Sequence, residues 1–310
     1  VTSRARTRRQ WAARRVVARP RASFEELEIR TRDGASLRAV VDDPPGARPL
    51  RGTVVLAHAL FAHKASFGRR EAPGLSSALA RQGFRTVAFD FRGHGDSTSP
   101  DGPCRYDDLV RSDLPAVVEY ARASGDDRPV IVLGHALGGH VALAAQGTGR
   151  IDVDAIVTLA TMVWARELEP SRLRWAAKAA LARVARSVSR RAGAALSLVP
   201  SRGGLAPRAA SRWHLREVLD FAREGRWTSA DGRDDYLAAL GRVAVPVAAV
   251  LAARDRVFCA PAAGEAFARR CAGQVQAFRA PVGYGGLVTS ALAEPVVLEA
   301  AARAADQAWP

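Results

Sequence analysis

From residue 52 onward the chain alternates short, almost uninterrupted apolar runs with longer stretches of helical period. Strands are expected at 52–57, 85–90, 129–133, 154–160, 245–251 and 275–279, and helices near 74–82, 107–124, 137–147, 262–271 and 294–308. Apolar runs this short and this continuous belong to strands buried on both faces, which predicts a mostly parallel sheet with helices on either side. FEELEIRTR (24–32) and SLRAVVD (36–42) alternate instead, and Asp33–Gly34 between them predicts an antiparallel pair. The rhythm breaks at 163–241, read as a helical insertion between two parts of one core, 23–162 and 242–310. Its first helix, about 171–193, spaces Leu173, Ala177, Leu181, Val184 and Val188 on one face. Arg172, Arg174, Lys178, Arg183, Arg186, Arg190 and Arg191 fall elsewhere, making a basic amphipathic helix expected to rest its apolar face on the core with its charges in solvent. The SRGGLAPRAA stretch at 201–210 reads as a flexible loop.

Charge is concentrated outside the core. Of a net charge of +15, the first 22 residues carry eight arginines and no acid, and 166–213 carry eleven basic residues against two acidic ones. The rest of the chain is close to neutral. Residues 1–22 therefore read as a basic, disordered tail, without the apolar segment of a secretory signal. Only Lys64 and Lys178 are lysines and asparagine is absent, a bias typical of a GC-rich bacterial gene. An arginine tail and a basic helix could together meet an anionic membrane surface. Nucleic acid is not an expected partner, because no reader motif accompanies the charge. No apolar run reaches membrane-spanning length. An odd number of cysteines without metal spacing (Cys104, Cys259, Cys271) suits a reducing compartment. The localisation expected is cytoplasmic, with membrane association as the alternative, and neither a metal nor a cofactor is expected.

The chemistry concentrates in PVIVLGHALGGHVALAAQ at 129–146. A strand, a sharp turn between Gly134 and Gly138, and a helix follow one another as in the G-x-S-x-G nucleophile elbow, with Ala136 where the serine would be. Upstream, GTVVLAH at 52–58 runs into Ala59, Leu60 and Phe61, and FRGHGDS occupies 91–97. Downstream, Val245–Leu251 leads to Asp255, and VGYGGLVTS occupies 282–290. On these stretches the chain, from about Phe24 onward, resembles the α/β-hydrolase family. The resemblance implies that family's fold, with 163–241 as its cap. It places the triad nucleophile at Ala136, the acid at Asp255 and the base at Tyr284, with Leu60 and Leu137 as the amides of the oxyanion hole. Only the acid keeps a residue type that fits its role. Ala59 stands where the family usually has glycine, a change that could tilt the Leu60 peptide.

None of the six histidines restores the base, because none lies beyond residue 214. His58 and His94 fall at motif positions that orient loops, and His135 and His140 belong to the elbow and its helix. A phenol at 284 is a weak acceptor at neutral pH. Cys259 lies on the wrong loop to replace the nucleophile. Two classes of function remain. The first is a non-catalytic pocket protein that binds a small apolar or ester-like ligand, or a protein partner. The second is an enzyme: a residual hydrolase of carboxylic esters or lipid-like substrates, or a lyase-type enzyme using Asp255 without a covalent intermediate.

Overall fold

A computed structural model describes residues 24–46, 49–98, 104–124, 127–169, 171–191 and 211–309. The expectations for the tail at 1–22, the last residues of the first cap helix at 192–193 and the loop at 201–210 lie outside them. The strands are β1 (Glu25–Arg30), β2 (Ser36–Asp42), β3 (Gly52–Ala57), β4 (Phe84–Phe89), β5 (Val130–His135), β6 (Ala155–Leu159), β7 (Val247–Ala252) and β8 (Val275–Ala280). They form one eight-stranded sheet in the order β1-β2-β4-β3-β5-β6-β7-β8. β2 runs antiparallel to β1 and β4, and every pairing from β4 to β8 is parallel. Every residue of β3, β5, β6 and β7 is buried, whereas the edge strands β1 and β8 expose four and two of their six residues. Of the continuous runs, β3, β5, β6 and β7 become central and β8 an edge; of the alternating pair, β1 is an edge and β2 lies between β1 and β4.

The helices are α1 (Leu75–Arg81), α2 (Tyr106–Asp108), α3 (Leu114–Ser124), α4 (Leu137–Gly147), α5 (Arg172–Arg191), α6 (Ser211–Glu224), α7 (Tyr236–Ala239), α8 (Pro261–Ala268), α9 (Gly286–Thr289) and α10 (Glu294–Ala308). The single helix expected at 107–124 is interrupted by a π turn at Leu109–Asp113. Pro115 lies just beyond it; its missing N–H and its ring disfavour regular α geometry in the preceding turn. Parallel registry brings the strand ends level: Ala57 pairs with Phe89 and Gly134, and His135 with Leu159. The loops after β3, β4, β5, β6, β7 and β8 therefore open on one edge of the sheet, where doubly wound folds place ligands.

The chain between β6 and β7 contributes α5, α6 and α7. Helix α5 corrects an expectation. Leu173 and Val184, assigned to its buried face, are 82% and 60% exposed, while Lys178, assigned to solvent, is 3% exposed. The side chain of Val188 lies outside what is described. A buried acid accounts for the rotation: Glu169 accepts from Lys178 Nζ at 2.8 Å and from Arg174 Nε at 3.1 Å. Lys178 also sits over the Trp164 ring at 5.5 Å. An unpaired carboxylate in that position would be far costlier than two exposed aliphatic side chains, so the ion pair sets the face. The other end of the insertion is fixed by aromatic packing. Trp227 and Tyr236 pack with Tyr106 and Phe267, and the Tyr236 hydroxyl donates to Asp107 Oδ1 at 2.7 Å.

Two stability predictions follow from these anchors. Lys178→Ala strands Glu169 with one partly exposed arginine and should lower stability by about 3 kcal/mol in urea unfolding, whereas Lys178→Met combined with Glu169→Leu should lower it far less. Glu217 of α6 accepts from the Tyr106 amide at 2.5 Å, and burial raises its carboxyl to about 7. A raised carboxyl favours the neutral form in the folded state. Its contribution is full below the unfolded value of 4.5 and is lost as pH rises through about 7. Glu217→Gln should remove that decline, gaining roughly 1 kcal/mol over the parent at about pH 8 after allowance for partial solvent access. Urea titrations across pH provide the measurement.

Candidate functional site

β5 ends at His135 and α4 begins at Leu137, so the chain reverses on one residue, Ala136. It adopts φ 46° and ψ −103°. Such a conformation costs a residue with a Cβ about 1–3 kcal/mol. Close approach on both sides enforces it. A Cβ added at Gly138 would overlap the Ala57 carbonyl, and one at Gly134 would overlap the Gly138–Gly139 peptide. Ala136 N donates to Leu159 O at 2.9 Å and Gly138 N to His58 O at 3.1 Å, tying the turn to the strands on either side. Ala136 is half-buried and presents only a methyl group.

The peptides around Leu60 are held by two histidines. Phe91 N donates to His58 Nε2 at 3.1 Å, which leaves the ring proton on Nδ1 to bond the Ala59 carbonyl at 2.8 Å. The Ala59 carbonyl and the Leu60 amide belong to one peptide plane, so this bond fixes where the Leu60 N–H points. His94 Nε2 meets the Leu60 carbonyl at 2.6 Å and fixes the next plane. Burial lowers the His58 ring to about 3, so it is neutral, and burial lowers His94 as well. Behind them, Asp90 accepts from Lys64 N and Nζ and from Asp96 N, and Arg92 bonds Asp113 and Asp33. The basic and acidic residues of FRGHGDS are thus spent on holding loops.

Tyr284 lies beside the turn, against the residue that precedes Ala136. The Tyr284 ring lies 4.9 Å from the His135 ring and 4.9 Å from that of Phe258. His135 adjoins Ala136, and Phe258 belongs to the loop that Asp255 organises. The Asp255 carboxylate accepts from the amides of Val257 and Phe258 on Oδ1, at 2.9 and 3.0 Å, and of Cys259 on Oδ2, at 2.8 Å. It is committed to its own loop. Burial, with the Cys259 thiol and the Asp255 carboxylate nearby, raises the Tyr284 phenol above its ordinary value, so it is a proton donor and not a base. Burial also pushes the Cys259 thiol up to about 12, and its sulfur packs against Gly264 of α8, which marks a structural cysteine. Burial lowers His135 to about 4 and His140 to about 3, and His140 Nδ1 lies 3.1 Å from the Tyr106 hydroxyl in an aromatic cluster.

The insertion closes over this edge. Leu60 and Phe61 pack against Ala182 of α5 and against Leu215 and Leu219 of α6. Trp164 donates its indole N–H to the Phe258 carbonyl at 2.9 Å and stacks on that ring. Leu60, Phe61, Trp164, Phe258 and Tyr284 are all half-buried, so the surroundings of Ala136 are predominantly apolar. Trp164 and Phe258 were not singled out in the sequence, although Phe258 lies three residues past Asp255, within the stretch its carboxylate caps. A cleft of about 590 Å³ lies on the β1–β2 side, lined by Phe24, Glu26, Phe61, His63, Lys64 and His94 among others. None of Ala136, Asp255 and Tyr284 lines it. Among the described residues, no cluster of side chains could hold a metal ion.

The sequence model described as serine aminopeptidase, S33, matches residues 48–281. The chain belongs to that family. Solved structures extend the likeness to the whole fold. An esterase from Thermogutta terrifontis is 16% identical with a TM-score of 0.60, covering 92% of this chain and 100% of that one. A monoacylglycerol lipase from Paleococcus ferrophilus is 17% identical at 0.56, covering 87% and 99%. A hydrolase from Pseudomonas aeruginosa PA01 is 22% identical at 0.56, covering 89% and 98%. At such identities the likeness is one of fold, the α/β-hydrolase fold. No curated protein matches the sequence. In this S33-family chain the strand ends and loops of the fold are present, and Ala136, Asp255 and Tyr284 are the residues they carry.

The strain at Ala136 gives a direct test. Glycine enters positive φ without a Cβ clash, so Ala136→Gly should stabilise the protein by about 1 kcal/mol in chemical denaturation, despite the extra freedom glycine gives the unfolded chain. No gain would mean that the turn relaxes without strain.

Proposed function

We propose that this S33-family protein is a non-catalytic member of its fold, in which the apolar side chains gathered at the sheet edge near Ala136 bind a small apolar or ester-like ligand. The observation that carries the reading is the pairing at the turn. The strained position holds a methyl group, and the loop after β8 brings a phenol, Tyr284, against the ring of the neighbouring His135. Covalent acyl transfer needs a nucleophile and a base within hydrogen-bonding reach of each other, and neither side chain can take its part. The commitment of Asp255 to three amides of its own loop also speaks against a proton-abstracting role for it. The apolar character of Leu60, Phe61, Trp164, Phe258 and Tyr284 suits a ligand with an acyl or aromatic body.

One feature favours a second reading, a slow hydrolase of carboxylic esters. His58 still holds the peptide that carries the Leu60 amide, and Leu137 still opens α4 next to the turn. Donors placed this way would stabilise an oxyanion, and in serine proteases they retain roughly 10³–10⁴-fold catalysis over water without a triad. The added methyl of Ala59 does not break the His58 bond to its carbonyl.

A fluorophosphonate should not label the protein, and p-nitrophenyl ester turnover should stay at background; a stoichiometric adduct would overturn the non-catalytic reading. The double change Ala136→Ser with Tyr284→His supplies both ends of the proton relay. Because triad members act as a unit, it should raise short-chain ester hydrolysis by at least ~100-fold over either single variant. A folded but inert double variant would show that the Asp255 loop no longer supports a base at 284.

A further inference from the structure

The outward face of α5 is the feature of the molecule that the pocket does not explain. Residues 172, 173, 176, 177, 180, 183 and 184 are all exposed, and they lie along one side of the helix. Down the middle of that side run Leu173, Ala176, Ala177, Ala180 and Val184, with Arg172 and Arg183 beside them. Leu173 and Val184 are 82% and 60% exposed, two of the five large apolar side chains that stand out from the described surface. They are eleven residues apart, so they share one stripe about 16 Å long. No acidic residue occurs anywhere in the α5 sequence, RLRWAAKAALARVARSVSRR.

Nothing about the helix alone requires this orientation. Its apolar stripe is the face a globular domain would bury, and the Glu169–Lys178 pair keeps the opposite face inward. Lys178 is about 140° around the helix from Leu173, so seating the lysine on Glu169 necessarily aims the leucine at solvent. The same inward face supplies Ala182, which packs with Leu215, Leu219, Leu60 and Phe61 over the candidate site. The stripe is therefore held rigidly outward by a buried, fully paired contact.

We propose that this face of α5 docks onto an anionic lipid bilayer, with Leu173 and Val184 entering the acyl boundary and Arg172 and Arg183 meeting the headgroup phosphates. An apolar stripe flanked by arginines and free of acids is complementary to such a surface: the apolar residues gain by leaving water, and the guanidiniums gain from negative headgroups. The site where Leu60 and Phe61 meet α5 and α6 then lies just behind the membrane-facing helix. This proposal does not depend on whether the pocket is catalytic.

The test is sedimentation of the full chain with phosphatidylcholine vesicles containing or lacking about 30% phosphatidylglycerol, a mixture chosen to carry the negative surface potential the arginines require. Binding should need the anionic lipid and weaken with added salt. Leu173→Gln with Val184→Gln adds no charge and leaves every arginine in place, so it should weaken binding at least tenfold with an unchanged melting temperature. Leu292→Gln, at an apolar side chain 63% exposed on a different element, serves as the control and should bind like the parent. Full binding by the Leu173/Val184 double variant would overturn the proposal, because the arginines elsewhere would then suffice. Equal binding to neutral vesicles, or none to either, would also overturn it. So would a self-association, seen by analytical ultracentrifugation, that the double variant abolishes without vesicle binding by the parent, since a second copy would then be the occupant.

Discussion

The close approach of α4 to β3 governs the rest of the molecule. Gly138 lies so near the Ala57 carbonyl that no side chain fits between them, and Gly134 lies equally close to the Gly138–Gly139 peptide. With helix and strand at that separation, one residue must reverse the chain, and Ala136 does so at positive φ. The helix then starts at the carboxyl edge of the sheet, where the parallel registry also delivers the loops bearing Leu60, Asp255 and Tyr284. The strain is tolerated because buried strands on both sides over-determine the turn.

Around that turn, polar groups serve architecture. His58 and His94 bond the carbonyls of Ala59 and Leu60, Asp90 collects Lys64 and the amide of Asp96, and Asp255 caps its own loop. In a low-dielectric edge, such groups would destabilise the fold if left unpaired, and each is satisfied by a neighbour. The histidines and carboxylates of this edge therefore have structural roles of their own, independent of any chemistry at the turn.

The insertion shows how a buried charge overrides amphipathic patterning. Hydrophobic periodicity places Leu173 and Val184 inward, and the burial of Glu169 reverses that choice. A carboxylate taken out of water requires a cation, and Lys178 and Arg174 are the ones within reach on α5. The packing that results joins the insertion to the loops at the sheet edge through Trp164, Phe258 and Leu60. The position of the helix and the apolar walls of the candidate site are thus one contact system.

The sequence alone determined the strand–helix alternation, the strained turn between Gly134 and Gly138 and the order of loops along the chain. Each of these is local: an apolar run long enough for one strand, or glycines spaced for one close approach. The residue types at 136, 255 and 284 could be read for the same reason. Tertiary structure alone decided which face of α5 is buried, because Glu169 lies outside the helix and its burial depends on the core beneath it. The same holds for the tautomer of His58, which depends on an amide 33 residues away, at Phe91. Periodicity records what a segment prefers in isolation. A desolvated charge or a ring between two loops answers to partners that are distant in the chain.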